Sequence, residues 1–283
     1  MTHLLRADFY RIRKSKLTLV MLILTVMVPL LISLLYLGIQ GLMDLAESVG
    51  NSEEFNAGLE AGLSMGGETV EITTVSSLFN MSTLLAGAFS LSDNLGLVLP
   101  IFAGLLVCGD LTGGTLRSKL ISGNSRSSVY LSHAISSGVF SAVMGLIYAA
   151  FTLLFGFLFF GYEEEVTGVV LTQFLRWLVL GILTFIFAST VSTFLALSTG
   201  STGGTIIFTL LFCIGLQLAA SLCAILASQE AFREFLYLIP VYGNMDGLGI
   251  TWKHFGVSVV ALCLFGALNT LLGLLLFRKK ELK

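Results

Sequence analysis

Side chains that could do covalent or metal chemistry are few and scattered in this sequence of 283 residues. The three histidines, His3, His133 and His254, lie far apart, and the four cysteines share no Cys-x-x-Cys or Cys/His spacing. A zinc site or a Ser/His/Asp catalytic set needs several such groups in a fixed pattern. We therefore expect no metal site and no catalytic residue, and the chain is predicted not to be an enzyme by itself.

The long apolar runs contain two notable polar side chains, Gln217 and Asn269, whereas the ionisable residues lie near the ends of the runs. Ionisable groups deep in a membrane usually mark proton or ion pathways, so this pattern disfavours an ion-driven carrier. Gln217 and Asn269 are our candidates for a substrate cavity. Hydrogen bonding between helices is an equally good role for both.

An ATP-binding loop is also missing from the sequence. The pattern GxxxxGK[ST] does not occur, and no Gly-Lys pair is present. Such a loop cradles phosphates with its backbone N–H groups and a lysine. We expect no cofactor in this chain, so any ATP hydrolysis that drives it must come from another protein. No nucleic acid is expected as a partner.

The composition requires lipid as the solvent for most of the chain. Hydrophobic residues make up 55% and charged residues 11%, against about 25% charged residues in soluble domains. A helix crosses the hydrocarbon with roughly 20 apolar residues. The sequence predicts one all-α membrane domain over residues 1–283, with spans at 17–39, 93–109, 129–160, 169–198, 205–227 and 255–277.

Charge distribution predicts the orientation of these spans. Twelve of the 15 lysines and arginines lie before span one, between spans two and three, or after span six, where Asp8, Asp110 and Glu281 are the only acids. Of the other acids, Asp93 lies at the start of span two, and the rest lie in the outer loop 40–92 and the remaining loops. By the positive-inside rule, both termini are predicted to be cytoplasmic. The chain is expected in the cell (plasma) membrane as a multi-pass protein.

Two segments outside the main spans, and one residue pair near the outer end of span four, also have a predicted form. Residues 1–16 form a basic lead-in, in which Leu5, Phe9 and Ile12 share one helical face, as in an interfacial helix. Residues 72–91 are expected to form an outer helix or a re-entrant piece. The pair Arg176-Trp177 is interpreted as an anchor at the headgroup level.

The inner loop 110–127 predicts a short helix over residues 113–122. Thr112 is the expected N-cap, Gly123 the C′ residue, and Ser125 caps the next helix. Leu116, Leu120 and Ile121 form an apolar stripe that is flanked by Arg117 and Lys119. Because so short a helix cannot build a core, we expect it to lie on lipid headgroups or in a groove of another protein.

The residues of this loop suggest a family. The stretch Asp110-x-x-x-Gly114-Thr115-Leu116-Arg117-x-Lys119-Leu120-Ile121 resembles the inner loop of permease subunits of type-2 (ABC-2) ABC exporters, which usually reads Glu-x-x-x-Gly-Thr-Leu-Arg-Asn-Lys-Leu-Ile. The resemblance implies that this is a coupling helix that binds a cytoplasmic ATPase. Contact residues would be Asp110, Gly114, Thr115, Leu116, Arg117, Lys119, Leu120, Ile121 and Arg126. The chain departs from the pattern at Asp110 and at Ser118.

The same resemblance implies the rest of the assembly. A second permease copy, identical or different, would complete the membrane part, and ATP and Mg would bind to the separate ATPase of a prokaryotic exporter. Residues 228–254 would form outer helical pieces before span six. Candidate outer gate residues are Phe235, Tyr237, Pro240 and Tyr242. The expected substrate is amphipathic or hydrophobic, such as a peptide, drug-like or lipid-like molecule.

Two other classes of function remain open at the level of sequence. An ATP-independent secondary carrier or channel would transport without a partner ATPase. A membrane scaffold or sensor would transport nothing.

Overall fold

The computed structural model describes residues 2–48, 81–91, 94–160, 168–226, 234–245 and 249–279. The regular elements of these residues are helical. They are α1 (Thr2–Lys14), α2 (Lys16–Ser48), α3 (Met81–Ala88), α4 (Asn94–Thr112), α5 (Thr115–Ile121), α6 (Arg126–Phe160), α7 (Gly168–Thr199), α8 (Thr202–Leu226), α9 (Tyr242–Met245) and α10 (Trp252–Lys279).

Six of these helices, α2, α4, α6, α7, α8 and α10, are long and apolar enough to cross a membrane. The predicted all-α class and the six spans are therefore confirmed, and the chain has the character of a multi-pass membrane protein. The cytoplasmic placement of both termini stays a prediction, as does the division into segments, of which most of the outer loop 40–92 lies outside the described residues.

Helix α7 forms the centre of the bundle and packs against α4, α6, α8 and α10. Within an apolar stretch of 18 residues in each helix, 56% of the residues are buried in α7 and 50% in α4. The corresponding share is 17% in both α8 and α10. Hydroxyl groups join the central helices, with Ser137 Oγ 2.8 Å from Thr193 Oγ1 and Ser192 Oγ 3.1 Å from Thr209 Oγ1. Small polar residues at helix interfaces are typical of membrane bundles.

Helix α3 lies inside the bundle and packs against α4, α6 and α9. Leu85 and Phe89 are fully buried, and the Phe89 ring packs against Trp177, with the two ring centroids 4.7 Å apart. The indole Nε1–H of Trp177 donates to the Leu85 carbonyl over 2.8 Å. Within the predicted segment 72–91, residues 72–80 lie outside the described residues.

The interpretation of Arg176-Trp177 as a headgroup anchor is wrong. Both side chains are buried, with 8% and 3% exposure. Arg176 Nη1 donates to the Ile250 carbonyl over 2.5 Å, and its guanidinium lies 4.8 Å from the centroid of the Trp252 ring. Ile250 and Trp252 lie more than 70 positions away from Arg176 in the sequence. The local sequence around Arg176 therefore does not reveal that they bury it.

Several segments meet at one end of the bundle. Lys119 Nζ lies 2.5 Å from Asp8 Oδ1, Cys108 Sγ lies 3.8 Å from the Ser201 carbonyl, and Arg126 Nη1 lies 3.3 Å from the Arg278 carbonyl. We call this end the basic end, because its exposed ionised side chains among the described residues are cations. They are Arg6, Arg13, Lys14, Lys16, Arg117, Arg126, Arg278 and Lys279.

Helix α1 packs against α6 at the basic end. Leu4, Asp8 and Ile12 are buried, whereas Phe9 of the predicted interfacial face is 38% exposed. The three buried residues follow the i, i+4, i+8 spacing of one helical face. Periodicity selects apolar residues and so did not reveal the carboxylate at the centre of this buried face. The interfacial position of α1 stays a prediction.

Candidate functional site

Helix α5 is a short helix between the second and third spans, with a glycine turn at each end. It starts after Gly114, whose φ is 70°, and it is followed by Gly123, whose φ is 86°. Both angles lie in the left-handed region that glycine tolerates best. The predicted N-cap was wrong, because Thr112 ends α4 and its hydroxyl donates to the Cys108 carbonyl over 3.1 Å.

The end of α5 follows the sequence prediction. The Gly123 N–H donates to the Leu120 carbonyl over 3.1 Å, as expected for a C′ glycine. Ser125 Oγ then accepts the N–H of Ser128 over 3.2 Å and so caps α6. Two glycine turns therefore connect α5 to its neighbours.

The two faces of α5 have opposite environments. Leu116 is 1% exposed and belongs to an apolar cluster with Leu4 of α1 and Val129 of α6. Ile121, in contrast, is 86% exposed, more than any other large apolar side chain among the described residues. Arg117 and Ser118 are exposed on the same side as Ile121. The surface left for a partner is thus the Arg117–Ser118–Ile121 face, to which Leu116 contributes nothing.

Lys119 lies on the inward face and joins three helices. Its Nζ is 2.5 Å from Asp8 Oδ1 of α1, 3.3 Å from Asp110 Oδ2 of α4 and 3.5 Å from His133 Nε2 of α6. The Lys119 side chain is 14% exposed, and both carboxylates are 2% exposed. Charge-assisted hydrogen bonds of this kind are stronger than neutral ones.

Each carboxylate of the cluster also has partners besides Lys119. Asp110 forms an ion pair with Arg11 and accepts the hydroxyl of Thr115 over 2.6 Å. Asp8 accepts the hydroxyl of Ser132 over 2.5 Å. We call Asp8, Arg11, Asp110, Lys119 and His133 the ion cluster.

The two carboxylates of the ion cluster face two permanent cations, Arg11 and Lys119. Burial raises the pKa of Asp8, but the hydrogen bonds from Lys119 and Ser132 and the nearby positive charge outweigh it. The pKa of Asp8 therefore lies below its ordinary value of 3.8. Asp8 is thus ionised at neutral pH, and its charge is neutralised within the protein.

Asp8, Asp110 and His133 also have the residue types of a metal site, since one ligand atom from each lies within 4.8 Å of the others. The Lys119 ammonium group lies among these same three side chains, at 2.5 to 3.5 Å. A cation is therefore already provided by the protein at this position. The donor set and the lysine together fit a structural ion cluster better than a metal centre.

The two polar side chains predicted for a cavity have different surroundings. Asn269 Nδ2 of α10 lies 3.5 Å from Thr190 Oγ1 of α7, which is the helix-joining role. Gln217 Oε1 of α8 is buried and has no hydrogen-bond partner among the described residues. Gln217 therefore has unused hydrogen-bonding capacity. Its part in a cavity stays a prediction.

The predicted outer gate residues are mostly buried. Phe235 is 66% exposed, whereas Tyr237 and Tyr242 are 7% and 6% exposed and Pro240 is buried. The Tyr237 ring stacks on His254 with the ring centroids 3.9 Å apart, and it meets Tyr242 edge-on at 5.1 Å. This aromatic group packs the segment before α10 onto the bundle. A gating role for it stays a prediction.

The sequence profile of the family DUF2705, described as "Protein of unknown function (DUF2705)", matches residues 69–283. The chain belongs to the DUF2705 family. No curated protein matches the chain. The DUF2705 match includes Asp110, Lys119 and His133 of the ion cluster, whereas Asp8 and Arg11 precede the matched region.

Sequence reasoning missed the convergence of Asp8 and His133 on Lys119, and the pairing of Arg11 with Asp110. A signal was present, because Asp8 and Asp110 are two of only three acids among the basic segments. Acids that lie among so many cations are candidates for buried pairing. The partner of Asp8 is 111 positions away in the sequence, however, and local periodicity carries no information about such a contact.

Proposed function

We propose that this protein is the membrane-spanning permease subunit of an ATP-driven ABC exporter of the ABC-2 type. The observation that carries the proposal is the outward face of α5, where Ile121 is 86% exposed beside the exposed Arg117. An apolar side chain in this position lies outside the six spans. A groove on a cytoplasmic ATPase subunit would cover it.

The charge pattern supports a cytoplasmic position for α5. The exposed ionised side chains described at the basic end are cations, and the acids Asp8 and Asp110 are buried there. Positively charged segments are retained on the cytoplasmic side of membranes. In this proposal both termini and α5 face the cytoplasm, where an ATPase would reach them.

The exposed faces of the spans are consistent with assembly from two permease copies. Within the apolar 18-residue stretches of α2, α8 and α10, only 22%, 17% and 17% of the residues are buried. In the proposed assembly these faces contact lipid and a second copy, identical or different, around the two-fold axis of the ATPase pair. ATP-driven closure of the ATPases would move both α5 helices and so rock the spans.

The proposed substrate is an amphipathic or hydrophobic molecule, which is moved outward. The spans are mainly aliphatic and aromatic, and the Gln217 side chain has an unpartnered oxygen among the described residues. Apolar pockets with a small number of polar groups suit such molecules. A sugar or an ion would need more convergent hydrogen-bond partners.

Co-purification of the tagged chain from its own cells tests this function. We expect an ATPase with a GxxxxGK[ST] loop to be recovered with the wild-type chain. Ile121→Asp should reduce that recovery by about tenfold or more, because charge at the centre of an apolar contact costs at least the 1.4 kcal/mol that corresponds to tenfold. The Ile121→Asp substitution should leave membrane insertion unchanged.

Thr202→Asp is the matched control. Thr202 is exposed at the start of α8, next to Ser201 at the basic end, so this variant adds the same charge away from α5. ATPase recovery should equal that of the wild type. If Ile121→Asp and Thr202→Asp recover the same amount, α5 is not the docking element, and solute transport by the purified chain without ATP would favour a carrier or channel instead.

A further inference from the structure

The inward face of α5 holds a second feature that docking alone does not require. Lys119 is on the side of α5 opposite Ile121, and its ammonium group binds a carboxylate of α1 at 2.5 Å and one of α4 at 3.3 Å. An exposed lysine would serve a partner surface as well or better. A buried lysine with two carboxylates indicates a fixed internal position instead.

The local geometry leaves the orientation of α5 to its inward contacts. A glycine with positive φ stands at each end, Gly114 at 70° and Gly123 at 86°. Hinges of this kind absorb changes in backbone angle. Seven residues form too short a helix to be stable alone. The side chains of Leu116 and Lys119 therefore fix α5 together with the Thr115 hydroxyl, which donates to Asp110 of α4. Of these, Leu116 and Lys119 contact groups that include α1.

Helix α1 is connected just as directly to the first span. Only Ser15 separates α1 from α2. The Thr18 hydroxyl of α2 donates to the Ile12 carbonyl of α1 over 2.5 Å, and the Leu17 N–H donates to Ser15 Oγ over 3.2 Å. A displacement of α1 would therefore be passed to α2 without a flexible linker.

We propose that Lys119 is a positioning residue which fastens α5 to α1 through Asp8, so that the two helices shift as one body and carry the first span with them. The ion cluster is balanced in charge, so separation of Lys119 from Asp8 would leave a buried charge without its partner. That penalty keeps the two helices together. Only the identity of the protein that pushes α5 rests on the proposed function. The contact between Lys119 and Asp8, which we call the joint, belongs to this chain.

Hydrogen exchange of the purified full-length chain in lipid nanodiscs tests the joint. Lys119→Met removes the charge from α5, and we expect the amides of α1, residues 2–14, to exchange faster by on the order of tenfold, since a broken buried pair favours local opening. Arg117→Met is the matched control, because Arg117 is exposed on the same helix. It should leave α1 unchanged. Lys119→Arg, which keeps the charge, should restore most of the protection.

The reciprocal variant keeps the test decisive if Lys119→Met folds poorly. Asp8→Asn preserves shape and an acceptor for the Ser132 hydroxyl, and it should speed exchange in α5, residues 115–121. Faster exchange only in the substituted helix overturns the proposal. Faster exchange that extends equally to the central helix α7 also overturns it, since the cluster would then support the whole bundle. No ATPase is present in these samples, so a failure of the joint is separate from a failure of ATPase docking.

Discussion

A substitution of Asp110 distinguishes two roles for this residue. The structure places Asp110 in the ion cluster, whereas the resemblance to ABC-2 permeases implies a contact with the ATPase. In this structure Asp110 is 1% exposed and is paired with Arg11, with Lys119 at 3.3 Å and with the Thr115 hydroxyl at 2.6 Å. Asp110→Asn keeps the size of the side chain and an acceptor for Thr115 but removes the charge.

The size of the effect follows from the burial of the partners. Removal of one member of a buried ion pair typically costs 3–5 kcal/mol, because the other member loses its counter-charge. Arg11 is 35% exposed and can turn toward water, whereas Lys119, which is 14% exposed, stays paired with Asp8. We therefore expect a loss of about 3 kcal/mol, the lower end of that range. This corresponds to a decrease in Tm of roughly 5–10 °C for a chain of this size.

Thermal unfolding in detergent, followed by size-exclusion chromatography, measures this change. Glu234→Gln is the control, because Glu234 and its partner Lys253 are 58% and 68% exposed, and exposed pairs contribute little. Its Tm should equal that of the wild type. An Asp110→Asn variant with an unchanged Tm but poor ATPase recovery would refute the reasoning, since Asp110 would then act at the partner surface.

Two further predictions concern pH and packing. Because the native pKa of Asp8 is below its ordinary value of 3.8, the stability that its ionised form gives to α1 is complete above that value and is lost as the pH falls through the lowered pKa. Hydrogen exchange of α1 should therefore rise steeply below about pH 4, and Asp8→Asn should abolish that step. Gly104→Ala should lower the free energy of unfolding by roughly 1–3 kcal/mol through overpacking, and with it the Tm, because the new methyl would lie 2.7 Å from Thr205 Cγ2. Gly215→Ala, with no atom within 4 Å, should not lower the Tm.

The sequence was sufficient for the features that depend on local chemistry. Apolar runs predicted the six spans, and the small-residue signals at Gly123 and Ser125 predicted where α5 ends and α6 begins. Each of these signals acts within a few residues of the feature it specifies. The start of α5 was misplaced because Gly114, in the left-handed region, takes the cap position that Thr112 was expected to hold.

The features that sequence reasoning missed depend on long-range contacts. Lys119 was expected to flank a partner surface, but Asp8, 111 positions away, turns it inward. Arg176 was expected at the headgroups, but the Ile250 carbonyl and the Trp252 ring cover it. In both cases a charged side chain is buried because a distant segment supplies its partner.

The central claim is that α5 presents its outward face to an ATPase in the cytoplasm. Incorporation of a photo-crosslinking amino acid at Ile121, followed by irradiation of intact cells, tests it most directly. We predict a light-dependent adduct between the chain and a protein that carries a GxxxxGK[ST] loop, and no such adduct from the same substitution at Thr202. Adducts with lipid alone, or adducts with that ATPase of equal yield from both positions, would contradict the claim.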